Sequence, residues 1–244
     1  MILDSSSAIV MACDVDPKRY LDVLGQTDDI PEIGAYQIPV SLAEDLGLEL
    51  AVSMAKDKGK KIIYDRKGLG TGDPDNADRD SEYFQKLGID AVVLYPIGGS
   101  LVMRSWVKSL RSRDIGIIVN GLKSWPEYTV REGGYVWELA WQRIYDDAAK
   151  LGLRSFQFPA NRPTELDELR REIDLLEREN VEGDFQIDIE WFAVGLGKQG
   201  GNIEGAYNLF GKNLRPTAGR VIHEEDDIRG ATLRFIERIN AGKQ

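Results

Sequence analysis

One pattern recurs along the whole chain. A short apolar run is followed by a loop rich in glycine, proline or polar residues, and then by a segment that is apolar at helical spacing. The apolar runs fall at 8–14, 35–38, 62–65, 91–95, 115–119, 155–158, 187–194 and about 216–222. The helical segments fall at 17–24, 46–58, 76–87, 101–110, 136–151, 163–179, 203–210 and 227–239. Near-continuous apolar runs are what strands covered on both faces look like. Strict alternation with helices implies right-handed βαβ units and a parallel sheet. Eight such units in 244 residues predict a (β/α)8 barrel, an α/β fold in which residues 1–244 form a single domain. The alternative is an open, doubly wound sheet.

Composition narrows the function. The 42% hydrophobic content supplies a sizeable core. With 41 acids against 31 bases, the net charge of −10 repels nucleic-acid phosphates, so no nucleic-acid partner is expected. No apolar run approaches the ~18 residues needed to span a bilayer, and no membrane role is expected. The first residues lack a basic, then apolar, leader pattern, so no secretory signal is expected. Cys13 is the only cysteine and lies in an apolar run, which suits a reducing cytosol and a packing role. The single histidine, His223, excludes His-rich metal sites.

In a barrel, function collects at the C-terminal ends of the strands. There the chain offers Asp14, Gln37, Asp65 with Lys67, Pro96, Asn120 with Ser124, Asn161, Gln199-Gly200-Gly201, and Gly219-Arg220. The densest charge lies where the third strand opens into Asp65-Arg-Lys-Gly-Leu-Gly-Thr-Gly-Asp73. A lysine among carboxylates stays protonated and can deliver a proton to a carbanion, while a carboxylate destabilises an anionic substrate. Asp14, Asp65, Lys67 and Asp73 are therefore the candidate catalytic group. Asp14 capping the first helix is the competing reading. The run Asp73, Asp75, Asp78 and Asp80 reads as negative charge at a helix start rather than as metal ligands. Glycines after the seventh and eighth strands, with Arg220 beside them, have the make-up of a phosphate cradle, in which backbone N–H groups approach the anion and a guanidinium pairs with it.

Segments in this order resemble orotidine 5′-phosphate decarboxylases, particularly the archaeal branch, over nearly the whole chain. They are Ala12-Cys-Asp14, Gly34-Ala-Tyr-Gln-Ile38, Ile62-Ile-Tyr-Asp65, Gly88-Ile-Asp-Ala-Val-Val-Leu-Tyr-Pro96, Glu132-Gly-Gly-Tyr135, Phe158-Pro-Ala-Asn-Arg-Pro163, Gln199-Gly-Gly201 and Gly219-Arg220. The resemblance implies a homodimer with active sites at the interface. It also implies decarboxylation of orotidine 5′-phosphate to UMP, in pyrimidine biosynthesis, without metal or cofactor. On it, Asp14 binds the ribose, Ser124 contacts the pyrimidine, and Gln199, Gly200, Gly201, Gly219 and Arg220 hold the phosphate. Asp65 is the first acid of the catalytic Asp/Lys array. The chain departs from the family pattern at Gln37 and Gly68, where lysines fall, at Pro39, where a glycine falls, and at Gly72, where the aspartate given across the interface falls. Val194-Gly195 stands where the family has Pro-Gly. Lys67 and Asp73 are expected to take the displaced roles. A divergent member that binds a phosphorylated nucleotide or sugar without this decarboxylation is the alternative.

Overall fold

The computed structural model describes residues 2–3, 9–162, 165, 168, 189–196, 200–201 and 203–241. Eight parallel strands close into a barrel in sequence order. They are β1 (Ile9–Ala12), β2 (Ile33–Pro39), β3 (Lys61–Asp65), β4 (Ala91–Leu94), β5 (Gly116–Asn120), β6 (Ser155–Pro159), β7 (Glu190–Val194) and β8 (Leu214–Ala218). The closure of β8 onto β1 through Val10 and Thr217 decides for the barrel over the open sheet.

The helices are α1 (Pro17–Thr27), α2 (Val40–Leu46), α3 (Leu48–Lys56), α4 (Asn76–Leu87), α5 (Ser100–Arg111), α6 (Ala140–Lys150), α7 (Ile203–Phe210), α8 (Arg220–His223) and α9 (Ile228–Ala241). Of the expected helix at 163–179 only residues 165 and 168 are described, and both are helical. Asp16, not Asp14, caps α1, its carboxylate accepting the Arg19 N–H at 2.9 Å with Pro17 at the first helical position. Asp14 is thereby left free for the barrel mouth.

Three expected boundaries change. The helix expected at 46–58 is two helices, α2 and α3, divided at Gly47, and α2 begins directly after Pro39 without a loop. The helix expected from 136 begins at Ala140, after a 3-10 turn at Val130–Glu132. The eighth strand ends at Ala218; the apolar Val221 and Ile222, read as its continuation, belong to the turn of helix α8. That turn lifts Arg220 onto the barrel mouth.

Side chains alternate across each strand. One set, including Met11, Tyr36, Tyr64, Leu94, Val119 and Trp191, packs outward under the helices. For example, Phe210 of α7 lies 4.3 Å from Phe158 and 4.8 Å from Trp191, centroid to centroid. The other set fills the barrel in layers. Val10, Ala35, Ile63, Val93, Ile118 and Phe192 form the middle, with Leu3 closing the lower end. Below them, Ser155, Glu190 and Arg215 are buried. Above them, the same alternation presents Gln37, Asp65, Asn120, Gln157 and Thr217 to the mouth.

Candidate active site

The mouth is a cavity of about 410 Å³, within the usual range for small-ligand sites. Its walls come from the ends of β1, β2, β3, β5, β6, β7 and β8 and the segments that follow them. Of the residues the sequence singles out, Asp14, Gln37, Asp65, Lys67, Asn120, Ser124, Gly219 and Arg220 line it.

Asp65 ends β3 and is 6% exposed. Three donors hold it. Gln37 Nε2 donates to Oδ2 at 3.0 Å, the Lys67 backbone N–H donates to Oδ1 at 3.0 Å, and Lys67 Nζ lies 3.0 Å from Oδ2. The same ammonium lies 3.5 Å from Asp14 Oδ1. Burial alone would lower the Lys67 pKa, but the carboxylates of Asp65 and Asp14 outweigh it and the net shift is upward. Lys67 is thus an ammonium across the neutral pH range, poised on two carboxylates.

The backbone that presents it is strained. Lys67 has φ 59°, a left-handed conformation uncommon outside glycine and frequent at functional sites. The loop beyond docks onto the end of β4. Leu69 is buried, its carbonyl accepts the Tyr95 N–H at 2.8 Å, and the Gly70 carbonyl accepts the Gly98 N–H at 3.2 Å. Only glycine fits at position 70, where φ is +92° and a Cβ would come within 2.9 Å of the Leu94 side chain. The docked loop turns Lys67, rather than the residue after it, toward Asp65.

Asp73 does not line the cavity of its own chain. It sits before Pro74 in an exposed turn, its carboxylate accepting the Asp75 N–H at 2.9 Å. Its acidic neighbours find surface partners: Asp80 pairs with Arg66 at 2.7 Å and Asp78 with Arg113 at 2.8 Å.

Opposite the acid pair, Gly195 and Leu196 follow β7 and Gly219 with Arg220 follow β8. Gly201 folds back against this wall, its N–H donating to the Gly195 carbonyl at 3.1 Å. A Cβ at Gly201 would meet that oxygen at 2.5 Å, so the approach requires glycine. Gly200 and Gly201 themselves do not line the cavity, and Gln199 lies outside the described residues. Arg19 anchors the turn that carries Arg220, donating from Nε to the His223 carbonyl at 2.7 Å and from Nη2 to that of Glu225.

Besides Glu224, four polar lining residues escaped the sequence reading. Gln157 accepts the Asn120 side-chain N–H at 2.6 Å. Thr217 Oγ1 and His223 Nε2 are buried with no hydrogen-bond partner among the described residues, as is Asn120 Oδ1. Burial lowers the His223 pKa, favouring the neutral ring. The fourth is Lys123, 9% exposed, with Nζ 3.8 Å from the Tyr95 ring centroid and 5.7 Å from that of Trp125. A sequence signal existed for two of them: Gln157 and Thr217 are polar at inward positions near the C-terminal ends of their strands.

No protein-family model and no curated protein matches the chain in sequence. Solved structures match it in fold. Orotidine 5′-monophosphate decarboxylase from Methanocaldococcus jannaschii, complexed with inhibitor BMP, superposes with TM-score 0.76 at 19% identity, over 96% of this chain and 99% of that one. UMP synthase from Leishmania donovani gives TM-score 0.76 at 18% identity over 98% of this chain, which spans 54% of that longer protein. KGPDC from Streptococcus mutans gives 0.64 at 16% identity, over 96% and 98%. The chain has the (β/α)8 barrel of the orotidine 5′-monophosphate decarboxylases and of KGPDC.

Proposed function

We propose that the protein is a decarboxylase that needs no cofactor and acts on a phosphorylated pyrimidine nucleotide, converting orotidine 5′-phosphate to UMP. The observation that carries this reading is the Lys67 ammonium, 3.0 Å from Asp65 and 3.5 Å from Asp14. A substrate carboxylate set against Asp65 is repelled, and loss of CO₂ relieves that repulsion. The electron pair left on the ring carbon takes its proton from Lys67, whose two carboxylates keep it charged until the carbanion forms. Gly219 and Arg220, with the glycines after β7, receive the phosphate; Ser124 and the Asn120–Gln157 pair lie where a base could be hydrogen-bonded. Asp73 is outside its own chain's cavity, so any catalytic part for it runs through a homodimer partner.

One observation favours the divergent reading, in which a phosphorylated ligand binds without this decarboxylation. Gln37 places a neutral amide on Asp65, so only one lysine neutralises that acid pair. The fold also serves KGPDC. A decarboxylation assay with orotidine 5′-phosphate, run beside a UMP titration, separates the two. Turnover that disappears in Lys67→Ala supports the first reading. Tight UMP binding with no wild-type turnover supports the second.

A further inference from the structure

We propose that Lys123 is an amine nucleophile, which forms a reversible imine with the carbonyl carbon of a phosphorylated aldehyde or ketone held in the cavity. Decarboxylation of a nucleotide gives this lysine no part, and the proposal does not rest on that reading. Lys123 follows β5 and lines the same cavity as Lys67. It is 9% exposed, yet among the described residues it forms no ion pair, and its ammonium lies against the aromatic ring of Tyr95. Three carboxylates line the cavity, Asp14, Asp65 and Glu224, and Lys67 engages the first two. A lysine buried near a second cation, with no ion pair among the described residues, is the arrangement that favours a free amine, against the opposing cation–π attraction of the Tyr95 ring.

The groups facing Lys123 are Asp65 and Lys67 from the end of β3 and the Tyr95 phenol, which is hydrogen-bonded to Tyr128 at 2.6 Å. Burial, with Lys67, lowers the Lys123 pKa to about 8 against the opposing pull of Asp65. Lys67 shifts the other way. Two lysines of one cavity pushed in opposite directions mark one as acid and the other as base or nucleophile. The Lys123 nitrogen lone pair adds to the carbonyl carbon as the C=O π bond breaks, and a proton passes from that nitrogen to the oxygen to give a neutral carbinolamine. Protonation of its hydroxyl by Lys67 releases water and leaves a protonated imine, whose N–H proton returns to Lys67 as the neutral imine forms. No oxidant or reductant is consumed.

Pyridoxal 5′-phosphate, a phosphorylated aromatic aldehyde, is the probe. The full-length protein is incubated with it, reduced with borohydride, and analysed by intact mass and peptide mapping. The expected result is one adduct per chain, on Lys123, formed roughly ten-fold or more faster than on ordinary surface lysines because more of its amine is unprotonated near neutrality. Its rate should rise with pH to a plateau above about 8, and inorganic phosphate should slow it. Lys123→Arg, which keeps the charge but cannot form an imine, should lose the adduct. Labelling mapped to Lys67, or spread over exposed lysines at equal rates in wild type and Lys123→Arg, overturns the proposal. Mapping on the wild type alone decides the matter if the variant fails to fold.

Discussion

The two ends of the barrel hold ion pairs made by the same strand alternation, and they are used in opposite ways. At the lower end, Glu190 accepts from Ser155 Oγ at 3.0 Å and from the backbone N–H groups of Ile2 and Leu3 at 2.6 and 3.1 Å. Arg215 Nε lies 3.5 Å away, both side chains are almost wholly buried, and Arg215 Nη1 donates to the Lys212 and Leu214 carbonyls. At the mouth, Lys67 bridges Asp65 and Asp14 with half of its side chain exposed, above a cavity into which Asn120, Thr217 and His223 turn polar atoms that have no partner among the described residues. A buried charge pair whose carboxylate is held by backbone, hydroxyl and guanidinium groups together is structural, even though Arg215 Nε makes no hydrogen bond among the described residues. A charge pair left facing unsatisfied polar atoms is available for chemistry.

The largest effect should come from the mouth. On the proposed reading, Lys67→Ala removes the proton donor and should lower decarboxylase turnover by about 10²- to 10⁴-fold, the usual contribution of a positioned acid. The unfolding free energy should change by less than about 1 kcal/mol, because Lys67 itself is half exposed and the buried Asp65 keeps its Gln37 and backbone N–H donors. The comparison breaks if urea denaturation shows the variant as unstable as it is inactive. Glu190→Ala is the converse. It strands the Arg215 guanidinium in the barrel and should cost about 3–5 kcal/mol of stability. Equal stability of variant and wild type would show that the lower pair is dispensable.

Arg220→Ala comes next. Exposed on the cavity wall, Arg220 should contribute through a charge-assisted contact, so UMP affinity should fall by about 2 kcal/mol by calorimetry, with stability unchanged. Unaltered affinity removes the phosphate from this wall.

What the sequence revealed and what it hid follow from this layering. The barrel was legible because parallel strands covered on both faces are written as apolar runs, Asp65 because it ends such a run, and Arg220 because it stands beside Gly219 as a Gly-Arg pair. The β8 boundary was not, since Val221 and Ile222 prolong the apolar pattern through a turn. Lys67 could be named but not aimed: its direction depends on a left-handed backbone and on the docking of Leu69 and Gly70 against β4. Lys123 left no local trace. A lysine in a loop reads as solvated, and its burial comes from Tyr95 and Trp125, one of them on another strand end.

Glu132 sharpens the comparison, because it lies near the mouth and yet is ligated in the manner of the lower pair. It accepts from the Tyr128 and Thr129 backbone N–H groups at 3.2 and 2.9 Å and from Thr129 Oγ1 at 3.1 Å, and Arg162 Nη1 lies 2.6 Å away. Arg162 Nη2 in turn donates to the Trp125 carbonyl at 2.6 Å, so this strap fixes one aromatic wall of Lys123. Burial alone would raise the Glu132 pKa, but Arg162 and the Thr129 donors outweigh it and hold it at about 2, against an ordinary 4.5. A depressed carboxylate stabilises the fold above its unfolded pKa and loses that contribution as pH falls through the folded one. Between pH 4.5 and about 2, wild type should therefore lose about 1–2 kcal/mol more unfolding free energy than Glu132→Gln, a figure discounted because the side chain is 33% exposed. Taking the difference between the two proteins removes the other carboxylates that titrate in that range. Parallel pH profiles would mean that complete ligation near the mouth does not make a carboxylate structural, and the distinction between the two ends would then rest on burial alone.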